Sequence, residues 1–254
     1  MKARISFVVV VVCVVFGASL VQADTFFKYK KHTDPFTMMG QNQPAKDETA
    51  IMWMGKNRFR NDVTEGQTVI MRADQKKMYM LSHNEKAYNV VDLPFDRNKM
   101  IPSEGKEMAD QMMQMFKMTC TVTDTGETKK IGRWNCKKYL MVMQGMMGAS
   151  TEMWTTKDIK IDYSAYETFT DTIMGMNPMF KDMLEEMKKV QGFKVYSVTT
   201  VNMMGAKVKT TEELVEVSER AAPAGTYDVP SGYKKVDFNP MAGQGGGAGG
   251  QDFE

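Results

Sequence analysis

The stretch TVIMRADQKKMYMLSHNEKAYNVV, residues 68–91, decides the fold. Three short apolar runs stand in it: Thr68–Arg72, Lys77–Leu81 and Ala87–Val91. Ala73-Asp74-Gln75 separates the first two, and Ser82 to Lys86 the next two. Runs of five β-branched, aromatic or methionine residues broken by polar turn residues read as an antiparallel meander. Met78 and Met80 alternate with Tyr79, so sulfur and ring point to opposite faces.

The pattern extends in both directions. Thr25–Lys31 reads as a first strand and Ala50–Arg60 as one long strand, with Met52 and Met54 on one side and Trp53 on the other. Later strands are expected at Thr119–Asp124, Asn135–Met143, Thr151–Lys157, Phe193–Val201 and Ala206–Val217. Several carry apolar residues on both faces, unlike a sheet with one solvated face. Two helical regions interrupt them. Ser103 caps the first, with Met108, Met112, Met115 and Phe116 at helical spacing. The second opens with the capping box Ser164–Glu167, followed by Tyr166, Phe169 and Ile173. Asn177-Pro178 restarts it, with Phe180, Met183, Leu184, Met187 and Val190 on one side and Gly192 at its end. The expected class is α+β: a curved antiparallel sheet with two helical regions over its concave face.

The chain ends carry different signals. Lys2 and Arg4 precede the apolar run Phe7–Phe16, and Val21-Gln22-Ala23 offers a cleavage site. Residues 1–23 therefore read as a secretory signal peptide cleaved after Ala23, and its apolar run is short for a bilayer span. Residues 24–238 form the expected folded domain. Residues 239–254, mostly Gly and Ala, read as a disordered tail. The expected product is a soluble periplasmic or secreted protein without a membrane anchor.

Charge narrows the function. The chain has 33 basic and 31 acidic residues, and loss of Lys2 and Arg4 makes the processed chain neutral. Nucleic acid is not an expected partner, since it requires a basic face. Cys120 and Cys136 remain after processing, and an even count in an exported chain predicts a disulfide between them.

The segments Gly55-Lys56-Asn57-Arg58-Phe59-Arg60, Cys136-Lys137-Lys138-Tyr139, Met153-Trp154-Thr155-Thr156-Lys157-Asp158 and Val229-Pro230-Ser231-Gly232-Tyr233 carry a resemblance. With the meander, they resemble an exported bacterial family known as domain of unknown function 4412, over roughly residues 50–236. More distantly, the layout is similar to periplasmic lipoprotein-carrier and lipoprotein-receptor folds. That resemblance implies a half-open barrel with helices over a concave face that holds acyl chains. It does not by itself imply the activity.

The 27 methionines are the most unusual feature. Methionine packs irregular cores, yet it also lines adaptable binding surfaces. An apolar small molecule or lipid is the expected ligand, with Met52, Met54, Met71, Met78, Met80, Met141 and Met143 as candidate lining residues. Trp53, Tyr79 and Tyr88 take that role if the opposite face is concave. Thioether pairs also suit Cu(I) or Ag(I), although only His32 and His83 could assist. An envelope protein-interaction component is the third reading. No cofactor is expected. No zinc-ligand spacing and no Gly-x-Ser-x-Gly elbow occurs, so neither a metal centre of that kind nor an enzyme is expected.

Overall fold

The computed structural model describes residues 23–63, 66–94, 119–145, 148–161, 167–170, 172, 181–203 and 205–237. The leader up to residue 22, the Ser103–Phe116 helix, the Ser164 cap, Asn177-Pro178 and the Gly-rich tail lie outside the described residues.

Twelve strands form one sheet. In chain order these are β1 (Asp24–Thr33), β4 (Lys46–Gly55), β5 (Arg58–Val63), β6 (Gln67–Arg72), β7 (Lys77–Ser82), β8 (Ala87–Asp92), β9 (Thr119–Ile131), β10 (Trp134–Gln144), β11 (Gly148–Thr156), β12 (Phe193–Met203), β13 (Ala206–Arg220) and β14 (Lys234–Lys235). A separate hairpin pairs β2 (Phe36–Met38) with β3 (Gln41–Gln43). The sheet order is β14-β8-β7-β6-β5-β4-β1-β13-β12-β11-β10-β9. Neighbours are antiparallel except β14, which runs parallel to β8.

Two expectations change here. The sheet is neither closed nor strongly curled, with β9 and β14 as its edges, so a half-open barrel is too specific a description. The described helical pieces are short: residues 167–170 and 172, α1 (Lys181–Met187) and a 3-10 turn at Ala73–Gln75. The fold is thus mostly β. The expected meander is present, with β6, β7 and β8 paired in sequence.

The single strand expected over Ala50–Arg60 is instead a hairpin. Gly55 pairs with Arg58 around Lys56-Asn57, and Asn57 takes a left-handed φ of 60°. Asparagine tolerates that region better than most residues. No glycine follows Asn57, so the usual hairpin signal is missing. Gly55 is required for a second reason: a Cβ there would lie 2.2 Å from Asp24 Oδ1.

Both faces of the β4–β8 region are covered, which explains its apolar residues on alternate and intervening positions. On the first face Phe169 packs against Phe59, their ring centroids 4.4 Å apart. On the second, Ala222, Tyr227, Val229 and Tyr233 lie against Phe26, Trp53, Ile70 and Leu81. Segment 221–233 therefore acts as a strap. At the far end of the sheet, α1 packs on β9, and Met187 and Val190 meet Val122, Tyr139 and Met153.

The expected disulfide is absent. Cys120 lies opposite Met143 across the β9–β10 pair, whereas Cys136 lies opposite Lys129. Seven residues along β10 separate Cys136 from Met143, which is roughly 23 Å at strand rise. A bridge needs Cα atoms within about 7 Å. Even cysteine count gave no information on register, and register decides the matter.

Candidate methionine face and basic cavities

The strand register sorts the candidate ligand residues onto two faces. Directly opposed residues share a face, as do residues two apart on one strand. One row across β4 to β8 reads Met54, Phe59, Met71, Met78 and Val91. All five are buried, and Met71 and Met78 are fully enclosed. The adjacent row on the same face reads Met52, Asn61, Val69, Met80 and Asn89. Only Met52 is buried in that row, and the other four are half-buried. Five of the seven candidate methionines therefore form one patch.

Met141 and Met143 are not part of it. They lie on β10, five strand spacings from β4, or roughly 24 Å away. Both are half-buried, and Met141 packs near Val122, Tyr139 and Met153. Trp53 and Tyr79 occupy the opposite face in the row Phe26, Trp53, Arg60, Ile70 and Tyr79. Tyr88 opposes Leu81 on that same face, and its ring centroid is 6.2 Å from that of Tyr79. The strap covers this aromatic side.

Polar contacts fix the strap. Thr68 donates its hydroxyl to Asp62 Oδ1 at 2.7 Å, so it accepts from His83 Nε2–H, also at 2.7 Å. That tautomer leaves Nδ1 to accept the Tyr233 hydroxyl proton at 2.5 Å. Asp62 further accepts from Arg60 Nε, and Arg60 donates to the Thr226 carbonyl. Beside this chain, Arg58 Nη2 donates to both oxygens of the buried Asp24 at 2.9 Å. The Arg58 guanidinium stacks over the Tyr227 ring at 4.6 Å. Burial, followed by the nearby Asp24 carboxylate, pushes the Tyr227 phenol above its ordinary pKa. Both histidines are thus engaged, since His32 contacts Asp47 and Asp34. Among the described residues no group of three or more His, Cys, Asp or Glu could hold a metal.

Two cavities lie elsewhere, around the β9–β10 hairpin and residues 157–161. One of about 590 Å³ has Lys129, Lys130, Cys136, Tyr139, Lys157 and Asp158 among its walls. The other, about 410 Å³, includes Arg133, Trp134, Asp158, Lys160 and Glu219. None of the ten candidate ligand residues lines either. Burial pushes the Cys136 thiol pKa up, which keeps it protonated near neutrality. Reading the sequence by methionine spacing passed over this end. The available signal was the run Lys129 to Lys138, with five basic residues and no acid.

Solved structures give distant likenesses. That of PNGF-II matches over 87% of this chain and 32% of its own, at 11% identity and a TM-score of 0.40. This chain thus spans about a third of that protein. A domain of an outer membrane lipoprotein-sorting protein from Vibrio parahaemolyticus matches over 80% of this chain and 88% of its own, at 5% identity and a TM-score of 0.27. No curated protein matches the sequence. The family model described as domain of unknown function (DUF4412) matches residues 36–233, and the chain belongs to that family.

Proposed function

We propose that the protein is an exported envelope binding module, without enzymatic activity, that takes an apolar ligand such as a lipid or acyl chain against its methionine face. One observation carries the reading: Met52, Met54, Met71, Met78 and Met80 fall in two adjacent rows of a single face. Unbranched thioethers repack around varied apolar shapes at small cost. The half-buried row containing Val69 and Met80 is the entry side. The ligand displaces cover there and gains about 25 cal/mol for each Å² of apolar surface removed from water. The leader at residues 1–23 supports the envelope location.

Native mass spectrometry of the full chain, expressed with its leader and incubated with bacterial membrane lipid extract, tests this. A lipid-sized mass increment is expected, and Met80→Glu should abolish it while retaining the fold by circular dichroism. A clean apo spectrum, or equal uptake by the variant, removes the proposal. A second reading, Cu(I) held by thioethers, draws on Met71 and Met78 facing each other across β6 and β7. The same instrument separates the two, because copper adds its own mass in the absence of lipid.

A further inference from the structure

Met141 and Met143, which stand apart from the methionine face, have sulfur neighbours of their own. Cys120 lies directly opposite Met143 across the β9–β10 pair, and Val122 lies opposite Met141. The register runs without a shift from the pair Thr119–Gln144 to the pair Asp124–Tyr139. Cys120, Val122, Met141 and Met143 therefore share one face. Directly opposed residues hold their Cβ atoms about 4.5–5.5 Å apart, close enough for one ion to touch both side chains. α1 covers this face. Cys120, Met141 and Met187 pack on the same small cluster of Val122, Tyr139 and Met153. Two hydrogen bonds hold the end of the helix there. Glu186 Oε2 accepts the Val122 backbone N–H at 2.7 Å, and Thr155 Oγ1 donates to the Gln191 carbonyl at 2.6 Å.

Packing alone does not account for these sulfurs. Met71, Met78 and Met153, which fill the core, are almost fully enclosed. Cys120, Met141, Met143 and Met187 are all half-buried. They form a rim of donors above a closed floor, within reach of an ion from solvent. Cys120 carries a thiol. One thiol and three thioethers make a donor set of sulfur only. Such soft ligands suit Cu(I), whereas hard divalent ions seek oxygen. An unbranched thioether turns about several rotatable bonds, so the sulfurs can close on an ion without moving the strands.

We propose that Cys120, Met141, Met143 and Met187 form a site for a monovalent soft metal ion, Cu(I) or Ag(I). On binding, the Cys120 Sγ–H bond breaks, its proton leaves to solvent, and the thiolate gives its electron pair to the metal. The three thioethers each give a lone pair and lose no proton. The metal keeps its oxidation state throughout. The site shares no residue with the methionine face or with its Met71–Met78 pair, so each proposal can fail without the other.

The full chain, expressed with its leader, is titrated anaerobically with Cu(I) against bicinchoninate, a chelator whose coloured complex reports the copper it holds. One equivalent should stay with the protein. Cys120→Ser/Met143→Leu should weaken that binding at least about tenfold. Met71→Leu/Met78→Leu and Cys136→Ser should leave it unchanged, and circular dichroism checks that each variant folds. A second measurement needs no variant: one equivalent of Ag(I) should protect Cys120 from alkylation by iodoacetamide, as mapped by peptide mass. Complete transfer of copper to the chelator, or alkylation of Cys120 that Ag(I) leaves unchanged, overturns the site. So does equal loss in Cys136→Ser, or loss confined to Met71→Leu/Met78→Leu, which assigns copper to the methionine face instead.

Discussion

The β4–β8 region and the β9–β10 hairpin share strand geometry but have opposite surroundings. β6 carries Thr68, Ile70 and Met71 buried, with residues facing both ways enclosed. β9 has a single buried residue, Val122, in thirteen. One region is sealed by Phe169 on one side and the strap on the other. The other is an edge guarded by charge, where Glu186 of α1 accepts the Val122 backbone N–H at 2.7 Å. An edge strand needs such protection against pairing with another chain. Stability is therefore expected to reside in the sealed region, with solvent-facing chemistry at the hairpin.

Cavity mutations test that division most severely. Phe59→Ala should cost about 3–5 kcal/mol in urea unfolding, because Phe59 is almost fully buried and stacks on Phe169. Val142→Ala, at a half-buried β10 site, should cost less than about 1.5 kcal/mol. Equal losses would erase the contrast.

The strap gives a smaller effect. Tyr233→Phe removes the proton accepted by His83 Nδ1 and should cost about 1 kcal/mol. Hydrogen exchange should quicken at the Lys234 and Val236 amides, which donate to the Lys86 and Tyr88 carbonyls. Unchanged exchange would mean that apolar contact alone holds the strap.

The smallest effect lies at the exposed end of β1, between the two regions. The Asp47 hydrogen bond, with help from Asp34, raises the His32 pKa above the ordinary histidine value. A raised folded-state value means that His32 contributes stability which is complete below the unfolded pKa and is lost as pH rises through the folded one. NMR titration should show that raised midpoint, and Asp47→Asn should lower it. Identical midpoints in both proteins would dismiss the pair.

Most strands were legible because β-branched and aromatic runs with polar punctuation leave a period of two. The β6–β7–β8 meander is the clearest case, and its turns carry φ > 0 at Lys76 and Lys86. The Lys56-Asn57 turn was hidden because Arg58, and not glycine, follows Asn57, so the usual hairpin pair is missing. The β2–β3 hairpin was hidden by its length of three residues per strand. Methionine alternation correctly paired Met52 with Met54 and Met78 with Met80, because that relation is local. Whether the pairs met each other, or met Met141 and Met143, depended on cross-strand register, which no local pattern encodes. The same gap explains the disulfide. The larger cavity escaped for a related reason: Lys130 and Lys157 are distant in sequence and line it together only through the pairing of β9, β10 and β11.

The placement of β1 has a consequence for how the chain assembles. This strand lies in the middle of the sheet, with Asp24 opposite Arg220 and Thr25 opposite Met54. The two halves of the sheet are thus joined by a pairing between the first and last long strands. Such a distant pairing closes late and slowly. Until residue 220 is available, β1 lacks one of its two neighbours and the sheet stays in two parts. A chain built this way completes its sheet only once its last long strand has been made.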